Sequence, residues 1–167
     1  VARMSAELLH HPKILEYSQI WMDSLRGGET QIVNTNKLLK TYPGTTGLKT
    51  GTTSKAGVCI AATAQRDGMN LLAVVLGSDS GKERFESAAT LLDYGFANYR
   101  TYTAKKGGKA LEEVKVRRGD LHSVEAGLTQ NLDLTLAKKD KGEGITTEVK
   151  LSEEKLTAPV KKGVQVG

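Results

Sequence analysis

Residues 47–57 read Gly47-Leu48-Lys49-Thr50-Gly51-Thr52-Thr53-Ser54-Lys55-Ala56-Gly57. Small residues in succession let a ligand come close to the backbone, and a lysine among hydroxyls favours an anion. A phosphate loop is excluded. That motif places four residues between two glycines and follows the second with Lys and Ser/Thr, a spacing that no glycine of this run begins. Gly77-Ser78-Asp79-Ser80-Gly81-Lys82-Glu83 comes closer, but it is one residue short and carries Glu where the hydroxyl should stand. What is left is Lys49-Thr50-Gly51, bordered on each side by segments with strand or turn character.

Downstream, Val58–Gln65 and Asn70–Gly77 are apolar runs of strand length joined at Arg66-Asp67-Gly68. Asp-Gly between two such runs is a strong hairpin signal. From Ser80 to Tyr102, Phe85, Ala88, Ala89, Leu92, Phe96 and Tyr99 recur at three and four residues, which predicts one long helix with a broad apolar face. Gly95 interrupts that helix at a cost of about 1 kcal/mol relative to Ala, so a close approach is expected there. Upstream, Tyr42-Pro43-Gly44 ends a single helical turn over 36–40. Arg26-Gly27-Gly28-Glu29 separates Ile20-Trp21-Met22 from Thr30–Val33 as a second hairpin. Met4, Leu8 and Leu9 predict a helix over 2–10, and Pro12 opens another through Tyr17.

The composition separates a second module. All eight aromatics lie before residue 103. Beyond the polar, glycine-containing stretch 104–109, the segments 110–117, 132–137, 146–151 and 160–166 are short, partly alternating and rich in Val, Leu and Thr. They read as a small β-sandwich, giving domains at 1–103 and 104–167. The net charge of +5 is spread over both, and the second has no aromatic to stack on a base, so nucleic acid is not an expected partner. The single cysteine, Cys59, excludes an intrachain disulfide and a multi-cysteine zinc site. It reads as an inert thiol buried in a strand. His10, His11 and His122 are scattered, without acidic partners at ligand spacing, and read as surface residues.

Taken together, Asn34-Thr35-Asn36-Lys37-Leu38-Leu39, Lys49-Thr50-Gly51, Ala73-Val74-Val75-Leu76-Gly77, Arg84-Phe85 and Leu91-Leu92-Asp93-Tyr94-Gly95-Phe96 resemble the D-alanyl-D-alanine carboxypeptidases, the low-molecular-mass penicillin-binding proteins. Leu156-Thr157-Ala158-Pro159 and the residues to Gly167 continue the likeness into that family's small C-terminal domain. The resemblance implies an α+β fold: the C-terminal part of a β-lactamase/transpeptidase-like domain, followed by a small all-β domain. It implies that Lys49-Thr50-Gly51 lies on an edge strand beside the active-site cleft, where a peptidoglycan stem peptide adds as a strand. Lys49 then supplies a fixed charge, Thr50 and Thr52 offer hydroxyls to the terminal carboxylate, and Gly51 permits close approach. The Thr52 N–H serves as one oxyanion-hole donor, and Arg84 is a second cation for the carboxylate. No cofactor or metal is implied, and β-lactams are the expected inhibitors.

The same residues have plainer readings. Lys49 fits a surface lysine shielding a strand edge, Arg84 fits an ion pair with Glu83 or Glu86, and Asn34 and Asn36 fit a cap or turn. The family's nucleophile comes from a Ser-x-x-Lys element, assisted by Ser-x-Asn, both upstream of Lys-Thr-Gly. Ser-x-Asn does not occur here, and Ser152-Glu153-Glu154-Lys155 lies downstream, in the β module, where it reads as a surface turn. The chain is therefore expected to be an inactive portion of a serine D-Ala-D-Ala carboxypeptidase acting outside the cytoplasmic membrane. The nucleophile belongs to a preceding segment, and any membrane contact comes through an anchor beyond Gly167. A non-catalytic peptidoglycan-binding scaffold and a β-lactamase sharing Lys-Thr-Gly are the alternatives.

Overall fold

A computed structural model describes all 167 residues. The chain forms two compact units, Val1–Tyr99 and Arg100–Gly167. In the first, helices α1 (Ala2–Leu8) and α2 (Pro12–Ser18) precede a hairpin of β1 (Met22–Leu25) and β2 (Thr30–Val33). Helix α3 (Leu38–Thr41) is a single turn. The antiparallel strands β3 (Thr45–Thr53), β4 (Gly57–Arg66) and β5 (Met69–Ser78) then form a sheet in that order, so β3 is an edge. Asp67 and Gly68 both have positive φ (49° and 75°), the pairing that a tight two-residue hairpin demands.

Helix α4 (Gly81–Asn98) covers one face of this sheet. Ser80 caps it: the Ser80 hydroxyl accepts from the Glu83 N–H at 3.1 Å, and the Glu83 carboxylate reaches back to the Asp79 N–H at 2.9 Å. Ala88 and Leu92 enter a core with Ile60, Ala62, Ala64 and Ala73 from the sheet, closed by Leu38 and Tyr42 from the region of α3. The close approach expected at Gly95 is present, since a Cβ there would stand 2.4 Å from Leu71 Cδ1.

A cation locks the far end of the hairpin. Arg66 lies over the rings of Tyr42 and Phe96, at 4.4 and 4.6 Å from their centroids, and its Nε donates to the Pro43 carbonyl. Tyr42 donates its hydroxyl to Asp93 at 2.6 Å. Burial, aided by that carboxylate, pushes the Tyr42 phenol up to about 12, with Arg66 opposing in part.

The helix expected over 80–102 is shorter. It stops at Asn98, and β6 (Tyr99–Lys105) begins at once. The run Tyr99-Arg100-Thr101-Tyr102-Thr103 alternates aromatic, polar and β-branched residues, a strand pattern that the apolar spacing of Tyr99 had masked. The second unit pairs β6 with β9 (Leu132–Ala137). A three-stranded sheet in the order β10-β7-β8 completes it, with β7 (Ala110–Arg117) antiparallel to β8 (Ser123–Gly127) and parallel to β10 (Lys155–Thr157). Val114 is fully buried there.

Two expected strands, 146–151 and 160–166, are not strands. Val149 and Val164 are exposed and Val160 and Val166 only half-buried, and a single ladder-like bond, from the Ser152 N–H just past the first stretch to the Val166 carbonyl at 2.7 Å, ties the two together. The sheet positions go instead to β8 and β10. Lys155 of the Ser152–Lys155 motif is the first residue of β10, and Ser152 precedes it in a bend. The molecule is α+β, helices with mainly antiparallel sheets, as the family resemblance implied.

Candidate active site

Lys49-Thr50-Gly51-Thr52 occupies the middle of β3, in register with Ala61, Ile60, Cys59 and Val58 of β4. Alternation along a strand places Lys49 and Gly51 on one face and Thr50 and Thr52 on the other. Lys49, Gly51 and Thr52 are exposed, whereas Thr50 is buried at 8% exposure. The Lys49 ammonium folds back and donates to the Thr50 carbonyl at 2.6 Å. The ammonium is thereby held against the backbone of the edge strand.

The edge is held from outside by the segment that precedes α3. Asn36 is almost wholly buried; its Nδ2 donates to the Gly47 carbonyl at 2.9 Å, and its Oδ1 accepts from the Leu38 N–H at 3.2 Å. Asn34 accepts from the Asn36 N–H and donates to the Ile20 carbonyl. Both asparagines hold a turn, as their residue type suggests. Ser18, at the end of α2, donates to the Thr46 carbonyl at 2.7 Å. Between the asparagines, Thr35 Oγ1 lies 2.6 Å from Thr50 Oγ1. Sequence reasoning missed this contact: Asn34-Thr35-Asn36 carried the signal, but only its two asparagines have a strong turn preference.

Arg84 makes no surface ion pair. Glu83 is engaged at the helix cap, and Glu86 faces Lys82 at 3.7 Å. Instead Arg84 is buried in the first turn of α4. Its guanidinium lies over the Phe85 ring and donates to the Cys59 carbonyl at 3.2 Å. Cys59 is the register partner of Gly51, so the guanidinium bonds the strand next to the Lys-Thr-Gly strand. The Arg84 Nε is buried without a partner. Cys59 itself is half-buried rather than enclosed, with its thiol donating to the Ala56 carbonyl at 3.2 Å. No cluster of His, Cys, Asp or Glu is arranged to hold a metal ion, and no helix is long and apolar enough to cross a membrane.

A lysine-threonine-glycine edge strand backed by a helix, with an all-β unit following, defines a penicillin-binding type of domain. Residues 1–80 match the family model described as D-alanyl-D-alanine carboxypeptidase, and residues 99–167 match the C-terminal domain of penicillin-binding protein 5. The chain belongs to the D-alanyl-D-alanine carboxypeptidase family. It is 32% identical over 170 residues to the D-alanyl-D-alanine carboxypeptidase DacF of Bacillus subtilis (strain 168), matching 100% of this chain and 43% of that protein. Penicillin-binding protein 5 from Haemophilus influenzae superposes with a TM-score of 0.66 at 30% identity, over 96% of this chain and 46% of that one. Penicillin-binding protein D2 from Listeria monocytogenes, solved in its cefotaxime-bound form, superposes with a TM-score of 0.52 at 33% identity, over 56% and 37%. The chain thus spans less than half the length of these relatives.

Proposed function

We propose that this chain supplies the substrate-holding wall of a serine D-Ala-D-Ala carboxypeptidase, which removes the terminal D-alanine from peptidoglycan stem peptides outside the cytoplasmic membrane. The nucleophilic serine comes from a part of the protein outside these residues. The observation that carries the reading is the open edge of β3. Lys49 lies on it exposed, with its ammonium at the Thr50 carbonyl, and an extended peptide can add there as a further strand.

In the reaction, the Lys49 ammonium and the Thr50 hydroxyl hold the terminal carboxylate: the two side chains leave opposite faces of β3, but the ammonium folds back to the Thr50 carbonyl and so meets a ligand at the edge itself. Lys49 already donates to a backbone carbonyl and has two further protons to give. Arg84, with an unpaired buried Nε one strand inward, adds positive potential behind the same carboxylate. The serine attacks the penultimate carbonyl, whose oxygen gains charge and is stabilised by the Thr52 N–H. D-alanine leaves with a proton, and water then releases the acyl-enzyme. A β-lactam presents a carboxylate and a strained amide to the same edge and acylates the same serine.

The test uses the full-length polypeptide that carries this chain. Treatment with a β-lactam, digestion and mass mapping should place the covalent adduct on a serine outside residues 1–167, and a peptide ending in D-Ala-D-Ala should release free D-alanine. An adduct on Ser152, or no D-alanine release from a protein that still acylates, overturns the reading.

A further inference from the structure

The geometry points to Thr35 as a positioning residue for terminal-carboxylate recognition, through its hydroxyl contact with Thr50. The inference rests on the reading of β3 as the carboxylate-holding edge. A threonine hydroxyl carries one proton and two acceptor lone pairs. Thr50 is buried, and its Oγ1 meets Thr35 Oγ1 at 2.6 Å, a full-strength hydroxyl–hydroxyl bond. If Thr50 gave its proton to Thr35, it would have none for a substrate. Donation to a carboxylate therefore fixes the direction of the pair: Thr35 donates to Thr50, and Thr50 donates outward. A chain of two hydroxyls ending on an anion polarises in that sense, each bond strengthening the next.

Thr35 is held where this relay needs it. The residues on either side of it are pinned, Asn34 to the Ile20 carbonyl and Asn36 to the Gly47 carbonyl, two positions ahead of Lys49. A β-branched side chain on a fixed backbone has little rotamer freedom. Thr35 is exposed on its other side, so its bond to Thr50 is not a by-product of core packing. Without the Thr35 hydroxyl, Thr50 keeps its place in β3 but loses the partner that orients its proton.

The experiment compares, on the full-length polypeptide, a peptide ending in D-Ala-D-Ala carboxylate with the same peptide ending in a carboxamide. Thr35→Val should lower the carboxylate-to-carboxamide ratio of kcat/KM by about 5- to 10-fold, chiefly through KM, because a hydrogen bond to an ionised acceptor is about twice as strong as one to a neutral acceptor. Thr35→Ser should restore the wild-type ratio. If Thr35→Val does not fold, Thr35→Ala with the same pair of peptides takes its place. An unchanged ratio, or equal loss on both peptides, overturns this inference and leaves the proposed function standing. A wild-type protein that turns over neither peptide overturns both.

Discussion

Lys49 and Tyr42 show how differently two residues in one unit depend on their surroundings. Lys49 is exposed at an open edge; on the proposed function it acts through its charge, so Lys49→Ala in the full-length protein should slow β-lactam acylation by about 10- to 100-fold, the span of one lost charged hydrogen bond. Stopped-flow acylation checks this, and an intact melting temperature would show that the fold is not what was lost. Tyr42 is buried, with its phenol raised from its ordinary 10 to about 12 by burial and by the Asp93 carboxylate. Because the folded value lies above the unfolded one, the stabilisation is complete below pH 10 and is lost as pH rises towards 12. Ultraviolet titration should show one of the five tyrosines ionising late, and Tyr42→Phe should remove that late step. At this level the sequence was informative where chemistry forces the residue type. Lys49-Thr50-Gly51 stands out because few motifs combine a cation, a hydroxyl and a bare backbone. The Thr35–Thr50 contact did not stand out, since threonine is common and only the turn brings the two together.

Helix α4 and strands β4 and β5 are legible because their apolar patterns are long and unmixed, whereas β3 is marked only by the family resemblance of Lys49-Thr50-Gly51. Asp67-Gly68 marks its hairpin by backbone sterics, and the 3.6-residue apolar spacing marks the helix. The end of the helix was misjudged because Tyr99 satisfies the helical spacing while belonging to a strand. Likewise, Val149 and Val164 carry strand propensity, but they find neither a regular partner strand nor a layer to cover them. Gly95 permits a sharper test. Gly95→Ala gains about 1 kcal/mol of helix propensity but forces Leu71 aside, at an overpacking cost of about 1–3 kcal/mol. A net loss of about 1 kcal/mol is expected by urea unfolding. Once Leu71→Ala has made room, adding Gly95→Ala should stabilise the protein, so the double mutant should be less destabilised than the sum of the two single changes. Asn36→Ala should cost about 2–3 kcal/mol, because it leaves the buried Gly47 carbonyl and the Leu38 N–H without partners.

Across the first unit, apolar side chains face solvent in unusual number: Met4, Tyr17, Met22, Leu25, Ile32, Leu76, Leu91 and Tyr94. Scattered apolar residues are ordinary on a protein surface, but here they lie on both faces of the β1–β2 hairpin and beside the outer strand of the sheet. Prepared alone, the chain should bind a hydrophobic dye and associate with rising concentration, and light scattering that shows a monodisperse monomer would contradict this. Cys59 offers a different use of the same fold. As the chain's single thiol, half-buried opposite Gly51 on the neighbouring strand, it can carry a small fluorophore next to the edge where the proposed function seats a ligand, without replacing any residue of that edge. Its emission would follow ligand arrival in real time, separating the moment of docking from the moment of bond cleavage.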